Sequence, residues 1–389
     1  MTEKKDRLHV VDALRGFAIL AIMLLHNIEH FDVYIFPDDL PLWMQTSDQV
    51  IWDTLFFLFG GKVYPMFALL FGLTFFIQSD NQKKRGQDFS WRFVWRMLLL
   101  LFFGLINSAF YQGDILTIYA VLGVLLIPLN KLGDRAILIL AIILFLQPVH
   151  LLALIQALQD PLMPLPDPES WTYFGKIKEY IGGDSIMETI KGNLTNGKRA
   201  VILWNWENGR FTHIVSLFLF GLLAGRKRLF ASTDGSKIFW KKSLKASAMV
   251  FVVLYTIQLN LESWVQSKAV LRPLEIIEKS WTNLSFMLFL VSGFYLVFQT
   301  QKGRSILKTL SPIGKMSLSN YVFQSILGSW IYYGFGLGLY LYTGATYGVL
   351  IGIILCVIVV KLCGWWAKKY AHGPLEGIWH KLTWMGSKK

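Results

Sequence analysis

Charged residues are scarce in this chain. Lys, Arg, Asp and Glu occupy 16% of its 389 positions, whereas hydrophobic residues occupy 54%. A soluble domain typically has charged residues at about a quarter of its positions. The scarcity excludes an ordinary soluble domain and predicts an all-α, polytopic integral membrane protein.

Cysteine is nearly absent as well. The two cysteines, Cys356 and Cys363, are seven residues apart, which is roughly 10 Å along one helix and too far for a disulfide within it. This argues against redox chemistry and against a thiolate metal site. The sequence also lacks a glycine-rich phosphate loop, a set of zinc ligands and a nucleophile elbow. We therefore expect no metal cofactor.

Long apolar runs are what the chain has in abundance. A membrane helix needs about 20 apolar residues, and about ten segments qualify as candidates: 10–29, 61–78, 93–111, 114–130, 136–158, 212–229, 244–262, 282–300, 316–338 and 345–366. The apolar piece 49–59 is too short to span and is predicted to be interfacial or re-entrant. The first run lacks a signal-peptide cleavage site, so we expect it to be retained. We predict one transmembrane domain over 1–389.

The loops alternate in charge. Basic residues cluster at 83–85, 226–228 and 302–308, whereas the loop after the first helix carries only acidic charges: Glu29, Asp32, Asp38, Asp39 and Asp48. Because Lys and Arg favour the cytoplasmic side, both termini are predicted to be cytoplasmic, and the polar segment at about 159–211 is predicted to be an extracytoplasmic loop. This topology, with contacts to membrane lipids, explains the basic charge without nucleic acid.

The first helix carries ionisable groups at both ends. Arg15 and His26 are 11 positions apart (26 − 15), close to three helical turns, so they share one face and lie roughly 16 Å apart along the axis. Asp12 and His30 extend the same face. Such groups usually face a protein interior or a wet cavity, which favours an anion site near Arg15 and a proton-handling site at His26. The alternative is that Arg15 extends to the interface and the histidines merely lie near the other one.

Four stretches carry a family resemblance. The first helix has a basic residue, ten residues and a histidine, within the lead-in "RLHVVDALRGFAIL". The others are "QGDILTIYAVLGVLL" (112–126), "IGKMSLSNYVFQS" (313–325) and "HGPLEGIWHKLTW" (372–384). Together they resemble the YeiB-like family of bacterial membrane proteins. The lead-in is similar to the wider transmembrane acyltransferase superfamily, which includes heparan-glucosaminide N-acetyltransferase and bacterial surface-glycan O-acyltransferases.

This resemblance implies an activity and a location. The protein would be a multi-pass protein of the bacterial inner membrane. Its donor would be cytoplasmic acyl-CoA or acetyl-CoA, and a hydroxyl or amine acceptor, on a glycan or a lipid-linked molecule, would meet the acyl group toward the outer face. Arg15 would match the family's basic residue and His26 its catalytic histidine. His30 misses that spacing and is expected to lie nearer open water and to matter less.

Two acidic residues are candidates to orient His26. Asp114 begins a helix at the predicted outer face, where it either caps that helix or reaches the imidazole. Asp53 lies in the short apolar segment, at a place comparable with an acidic residue of the related acetyltransferases. Glu29 and Asp32 are expected to gather near His26 together with Asp114.

Polar residues near the predicted cytoplasmic surface are candidates for donor binding. Ser317, Asn320 and Gln324 recur at helical spacing and either bridge neighbouring helices or line a donor cavity. Arg92 and Arg96 share a face and either bind phosphate or anchor the helix at the interface.

Two other function classes remain open. A transporter or flippase of a small anion or lipid-linked substrate would use the same polar face, and a noncatalytic membrane protein would merely retain the fold. The sequence does not decide between a monomer and a homo-oligomer.

Overall fold

The computed structural model describes residues 8–34, 36–37 and 40–385. Arg7, Asp38 and Asp39, which contribute to the motif and the acidic loop above, lie outside these ranges. Within the described ranges every regular element is a helix, which confirms the all-α fold class.

The N-terminal half is a series of apolar helices. They are α1 (His9–Ile28), α2 (Leu42–Phe59), α3 (Val63–Lys83), α4 (Ser90–Phe110), α5 (Leu116–Gly123), α6 (Leu126–Leu129), α7 (Asp134–Phe145) and α8 (Pro148–Gln159). The apolar piece 49–59 is thus part of an 18-residue helix, α2. The sequence pattern missed its first turns because residues 42–48 are partly polar.

The polar segment 159–211 is largely helical. It contains α9 (Glu169–Phe174), α10 (Ile177–Ile181), α11 (Ile186–Gly192), a π-helix (Asn193–Gly197) and α12 (Lys198–Glu207). These short helices pack against one another and against α4.

The C-terminal half combines long peripheral helices with shorter buried ones. Its helices are α13 (Arg210–Arg226), α14 (Asp234–Trp264), α15 (Lys268–Gln299), α16 (Gln301–Leu307), α17 (Ser311–Lys315), α18 (Ser317–Tyr332), α19 (Ala345–Lys369) and α20 (Pro374–Thr383). Single 3₁₀ turns lie at Lys308–Leu310 and Leu339–Leu341.

Among the described residues, six candidate spans are long and apolar enough to cross a membrane. Helices α2 and α3 together form one of them. The number is seven if the bent pair α7–α8 is counted as a further span. This indicates a membrane protein. Several predicted spans are interrupted or short. The segment 114–130 divides into α5 and α6 just before Pro128, which has no N–H for the helix ladder. The segment 136–158 bends by 45° at Gln147–Pro148, where Gln147 is left-handed.

The core lies where α1, α3, α13 and α18 meet. Helices α3 and α13 approach closely because glycines face each helix: a Cβ at Gly72 would overlap the carbonyl oxygen of Phe218, and one at Gly221 would overlap that of Leu69. By contrast, only 11% of the apolar window of α14 and 17% of that of α19 is buried. These two helices therefore present their apolar side chains at the periphery, as lipid-facing helices do.

Candidate functional site

Helix α1 brings its two polar ends to two different cavities. Arg15 lines a cavity of about 270 Å³, here named the Arg15 cavity. His26 lines a larger cavity of about 620 Å³, the His26 cavity. The helical spacing of the two residues thus places both on cavity walls and not at a lipid-facing surface.

The two cavities share a boundary. Tyr321 on α18 and Ile115 at the start of α5 line both of them. The Tyr321 hydroxyl accepts a hydrogen bond from the main-chain N–H of Ile115 at 3.4 Å. A single side-chain contact therefore forms part of the partition between the cavity at Arg15 and the cavity at His26.

His26 is held by packing. Its ring centroid lies 4.7 Å from that of Tyr111 and 5.4 Å from that of Phe31. Its Nδ1 is buried with no hydrogen-bond partner among the described residues, so Nε2 is the nitrogen that serves the cavity. The predicted orienting contact from Asp114 or Asp53 is not formed.

An unusual turn follows α1. Three consecutive residues, His30, Phe31 and Asp32, have left-handed φ angles of 48°, 55° and 69°. Each such residue costs about 1 kcal/mol or more outside glycine. The turn directs Asp32 into the His26 cavity, where its carboxylate accepts a hydrogen bond from the Tyr111 hydroxyl at 3.3 Å. Gly113 leaves room for this carboxylate, since a Cβ there would lie 2.9 Å from it.

Glu29 joins Asp32 in the same cavity. Tyr34 donates a hydrogen bond to Glu29 at 3.2 Å. Burial and the neighbouring Asp32 raise the pKa of Glu29 to about 8, and burial raises the pKa of Asp32 to about 6. Near neutral pH, Glu29 is therefore mainly protonated and able to donate a hydrogen bond. The expectation that Glu29, Asp32 and Asp114 gather near His26 is confirmed.

Asp114 caps a helix, as one of the two interpretations predicted. Its carboxylate accepts hydrogen bonds from the N–H groups of Leu116 at 3.2 Å and Thr117 at 2.9 Å. It also accepts one from Asn107 at 3.1 Å and pairs with Lys198 at 3.4 Å. Asp114 lines the His26 cavity, but these four partners occupy its oxygen atoms.

His30 and Asp53 lie apart from both cavities. The expectation that His30 lies near open water is wrong: it is fully buried, stacks on Tyr332 at 4.8 Å and is 3.1 Å from the Thr343 hydroxyl. The left-handed turn after α1 directs it inward. Asp53 lies on an exposed face of α2, where both carboxylate oxygens accept from Gln49 at 3.0 and 2.9 Å.

The Arg15 cavity is lined by more than one basic residue. Arg15 pairs with Asp12 at 3.5 Å and donates to the hydroxyl of Thr74. Arg96 and Lys315 also line the cavity. This wall has the charge that phosphate groups require.

Arg92 and Arg96 attach α20 to α4. Arg92 donates to the carbonyl of Thr383 at 2.8 Å and stacks on Trp384 at 4.7 Å. Arg96 stacks on Trp379 at 4.2 Å. Of the two, only Arg96 lines the Arg15 cavity.

The polar stripe of α18 divides between roles. Ser317 lines the Arg15 cavity. Asn320 donates to the carbonyl of Ile313 at 3.2 Å and lies 3.4 Å from the Cys363 sulfur, as interhelical packing predicts. Gln324 is buried, and neither polar atom of its side chain has a hydrogen-bond partner among the described residues.

Sequence reasoning missed two basic residues that line the His26 cavity, Lys178 and Arg210. Arg210 lies beside Trp204, and its guanidinium carbon is 4.0 Å from that ring centroid. A signal was available for Arg210: an arginine directly before an apolar run at the predicted outer face is as unusual as Arg15. The prediction of a loop over 159–211 gives no reason to place Arg210 in a cavity wall.

The comparisons with known proteins agree with the motifs. Residues 224–386 match the family described as "Protein of unknown function (DUF418)". The chain is 28% identical to "Uncharacterized protein YxaH" of Bacillus subtilis (strain 168), over 99% of this chain and 96% of the relative. It is 23% identical to "Uncharacterized protein YeiB" of Escherichia coli (strain K12), over 97% of this chain and 96% of the relative. No solved structure matches significantly. The chain is therefore similar to this family in its C-terminal part and to these relatives over almost its whole length.

Proposed function

We propose that this protein is a membrane acyltransferase. The acyl-CoA or acetyl-CoA donor occupies the Arg15 cavity, and a hydroxyl or amine acceptor occupies the His26 cavity. The observation that carries the proposal is the shared boundary at Tyr321 and Ile115, because it is the place where a thioester in one cavity can meet a nucleophile in the other. The resemblance to the transmembrane acyltransferase superfamily supports the same assignment.

The chemistry follows from the groups on each wall. Arg15 and Arg96 hold donor phosphates through charge-assisted hydrogen bonds. The acceptor oxygen or nitrogen attacks the thioester carbonyl while His26 Nε2 takes its proton. The carbon–sulfur bond then breaks, and the CoA thiolate leaves and is protonated. Asp32 and Glu29 hydrogen-bond the acceptor and position it.

The orientation belongs to the same proposal. The Arg15 cavity opens toward the bacterial cytoplasm and the His26 cavity toward the outside of the inner membrane, with both termini cytoplasmic. The ten spans would be α1, α3, α4, α5–α6, α7–α8, α13, α14, α15, α18 and α19, with α2 at the interface. The short buried helices α13 and α18 have 17 and 16 residues. These lengths are close to the lower limit of about 17 residues for a membrane span.

The test is donor-dependent turnover by purified protein. Release of CoA thiol from acetyl-CoA is measured with and without a bacterial envelope glycan fraction, and radiolabelled acetyl-CoA is used to find the acetylated product. The proposal expects labelled glycan from the wild type and none from His26→Ala. CoA binding alone does not count as support, because a noncatalytic protein could bind CoA too.

The same preparation tests the transporter alternative. If the wild type releases no CoA thiol, but proteoliposomes take up an anion in a manner that depends on Arg15 and His26, transport replaces acyl transfer. The two cavities would then be successive binding sites, and Tyr321 would lie between them.

A further inference from the structure

The guanidinium of Arg210 is clamped between two aromatic rings in the wall of the His26 cavity. Its central carbon lies 4.3 Å from the centroid of Tyr64 and 4.0 Å from that of Trp204. Contact with both rings restricts the plane of the guanidinium. Its N–H groups all point along the edge of that plane, so the rings leave them available to another partner.

No described protein group supplies that partner. Among the residues that the structure describes, Arg210 donates no hydrogen bond and forms no salt bridge, although it is partly buried. Arg226, at the other end of the same helix, differs: it donates to two carbonyl oxygens and pairs with Asp134 at 2.9 Å. An arginine keeps its charge at all ordinary pH values, and a partly buried charge is stable only with compensation.

The carboxylates of the cavity form no close ion pair with Arg210, and the charge interaction between Glu29 and Arg210 acts only at longer range. Neither Glu29 nor Asp32 lies within 4.0 Å of the guanidinium. The raised pKa of Glu29, about 8, leaves it mainly uncharged near neutrality. Asp114 already pairs with Lys198 at 3.4 Å.

We propose that Arg210 binds an oxyanion, a carboxylate or a phosphate, carried by the molecule that enters the His26 cavity. The edge of the fixed guanidinium matches two oxygen atoms of such a group. The aromatic walls from Tyr64, Trp204 and Trp171 suit the apolar face of a sugar ring. The identification of the bound molecule as the acyl acceptor rests on the proposed function, whereas the anion site itself does not.

Calorimetry on the purified wild-type protein tests the site without any turnover. Three sugars of similar size are compared: glucuronate for the carboxylate source, glucose 1-phosphate for the phosphate source and glucose as the neutral control. We expect at least one anionic sugar to bind about tenfold or more tightly than glucose, as charge-assisted hydrogen bonds predict. Equal affinities for all three, or no binding of either anion, would overturn the proposal.

Substitutions locate the effect. Arg210→Gln should remove the preference for the anionic sugar, and Arg210→Lys should retain part of it as a point charge without the fork. Arg199→Gln is the matched control, because Arg199 is exposed on the neighbouring α12, stacks on one ring at 4.6 Å and pairs with Glu169. If Arg210→Gln is poorly folded, the comparison of sugars in the wild type and Arg210→Lys decides. A preference unchanged in Arg210→Lys and in a folded Arg210→Gln contradicts the assignment.

Failure of this proposal differs from failure of acyl transfer. An anionic sugar that binds through Arg210 but is never acylated, in a protein without turnover, leaves the anion site standing and removes the acyltransferase. Turnover on a neutral acceptor that Arg210→Gln does not change would support acyl transfer and remove the anion site.

Discussion

The two cavities beside α1 differ in how their charges are compensated. In the Arg15 cavity, Arg15 pairs with Asp12 and Arg96 stacks on Trp379, and the wall holds three basic and two acidic side chains. The larger His26 cavity contains acidic groups with raised pKa values and Arg210, which contacts two aromatic rings and forms no salt bridge among the described residues. A small cavity with three basic residues in its wall suits a phosphate-bearing molecule. A larger cavity with aromatic walls and one carboxyl group that is mainly protonated near neutrality suits a polar molecule with hydroxyl groups.

The largest expected effect is a difference in labelling between two loops that lie on opposite sides of the membrane in the proposed topology. Single cysteines at Asp184 and Lys241, both exposed, should react with a membrane-impermeant maleimide from opposite sides of intact cells. Asp184→Cys should be labelled from outside, and Lys241→Cys only after lysis. The parent protein with its two native cysteines is the control. Labelling of both from outside would overturn the proposed topology and, with it, the proposed sides of the two cavities.

Loss of the catalytic base should come next. His26→Ala should reduce turnover by about 100- to 10,000-fold, the range expected for removal of a general base, with CoA binding largely retained. His30→Ala is the matched comparison, in the left-handed turn that follows α1. Because His30 is buried against Tyr332, its loss should lower thermal stability more than turnover per folded molecule. Full activity of His26→Ala with loss of activity in His30→Ala would show that the wrong histidine was chosen.

The basic wall of the Arg15 cavity predicts a smaller change in affinity. Arg15→Ala should weaken CoA binding by about 10- to 100-fold, the equivalent of one or two charge-assisted hydrogen bonds. Arg15→Lys should lose less. Arg92→Ala is the control because Arg92 binds α20 outside the cavity. Equal affinity in wild type and a folded Arg15→Ala, measured by calorimetry, would contradict donor binding at this residue.

The acid pair predicts a pH dependence in the other cavity. The charged and titratable groups that line the cavity with Glu29 and Asp32 are His26, Tyr34, Tyr64, Tyr111, Asp114, Lys178, Arg210, Tyr321 and Tyr340. As the pH rises through about 6, Asp32 gains a negative charge, and through about 8, Glu29 gains one. Both charges repel a bound anion.

Glucuronate, which stays ionised throughout, should therefore bind about fivefold to tenfold more weakly at pH 8.5 than at pH 5.5, a change of roughly 1 kcal/mol. Glu29→Gln should remove the part of this loss above neutrality. Glucose serves as the control because it carries no charge. An affinity for glucuronate that rises with pH would mean that the acid pair does not face the anion.

Local patterns predicted the contents of α1 well, because helix periodicity alone places Arg15 and His26 on one face. The nearness of Glu29 and Asp32 to His26 also followed from short separation in the chain. The burial of His30 could not be predicted in this way. It depends on a turn of three left-handed residues, His30, Phe31 and Asp32, which no feature of the composition indicates. The partners of Arg92 and Arg96 are on α20, nearly 300 positions away (291 and 287), and the clamp on Arg210 joins α3, α12 and α13. Such contacts depend on the tertiary arrangement of the helices.

The position of α20 near the C-terminus determines when the Arg15 cavity is completed during synthesis. Glu376 accepts hydrogen bonds from the main-chain N–H groups of Leu318 and Ser319, at 2.7 and 3.0 Å, and thereby caps α18. It also lines the Arg15 cavity with Trp379. Helix α1 is synthesised first and residue 376 almost last. The wall of the Arg15 cavity is therefore completed only when nearly the whole chain has been made. Until then, α18 lacks its cap and the cavity wall is open. A chain that ends before α20 would therefore contain Arg15 and His26 but would lack the part of the Arg15 cavity wall that Glu376 and Trp379 supply.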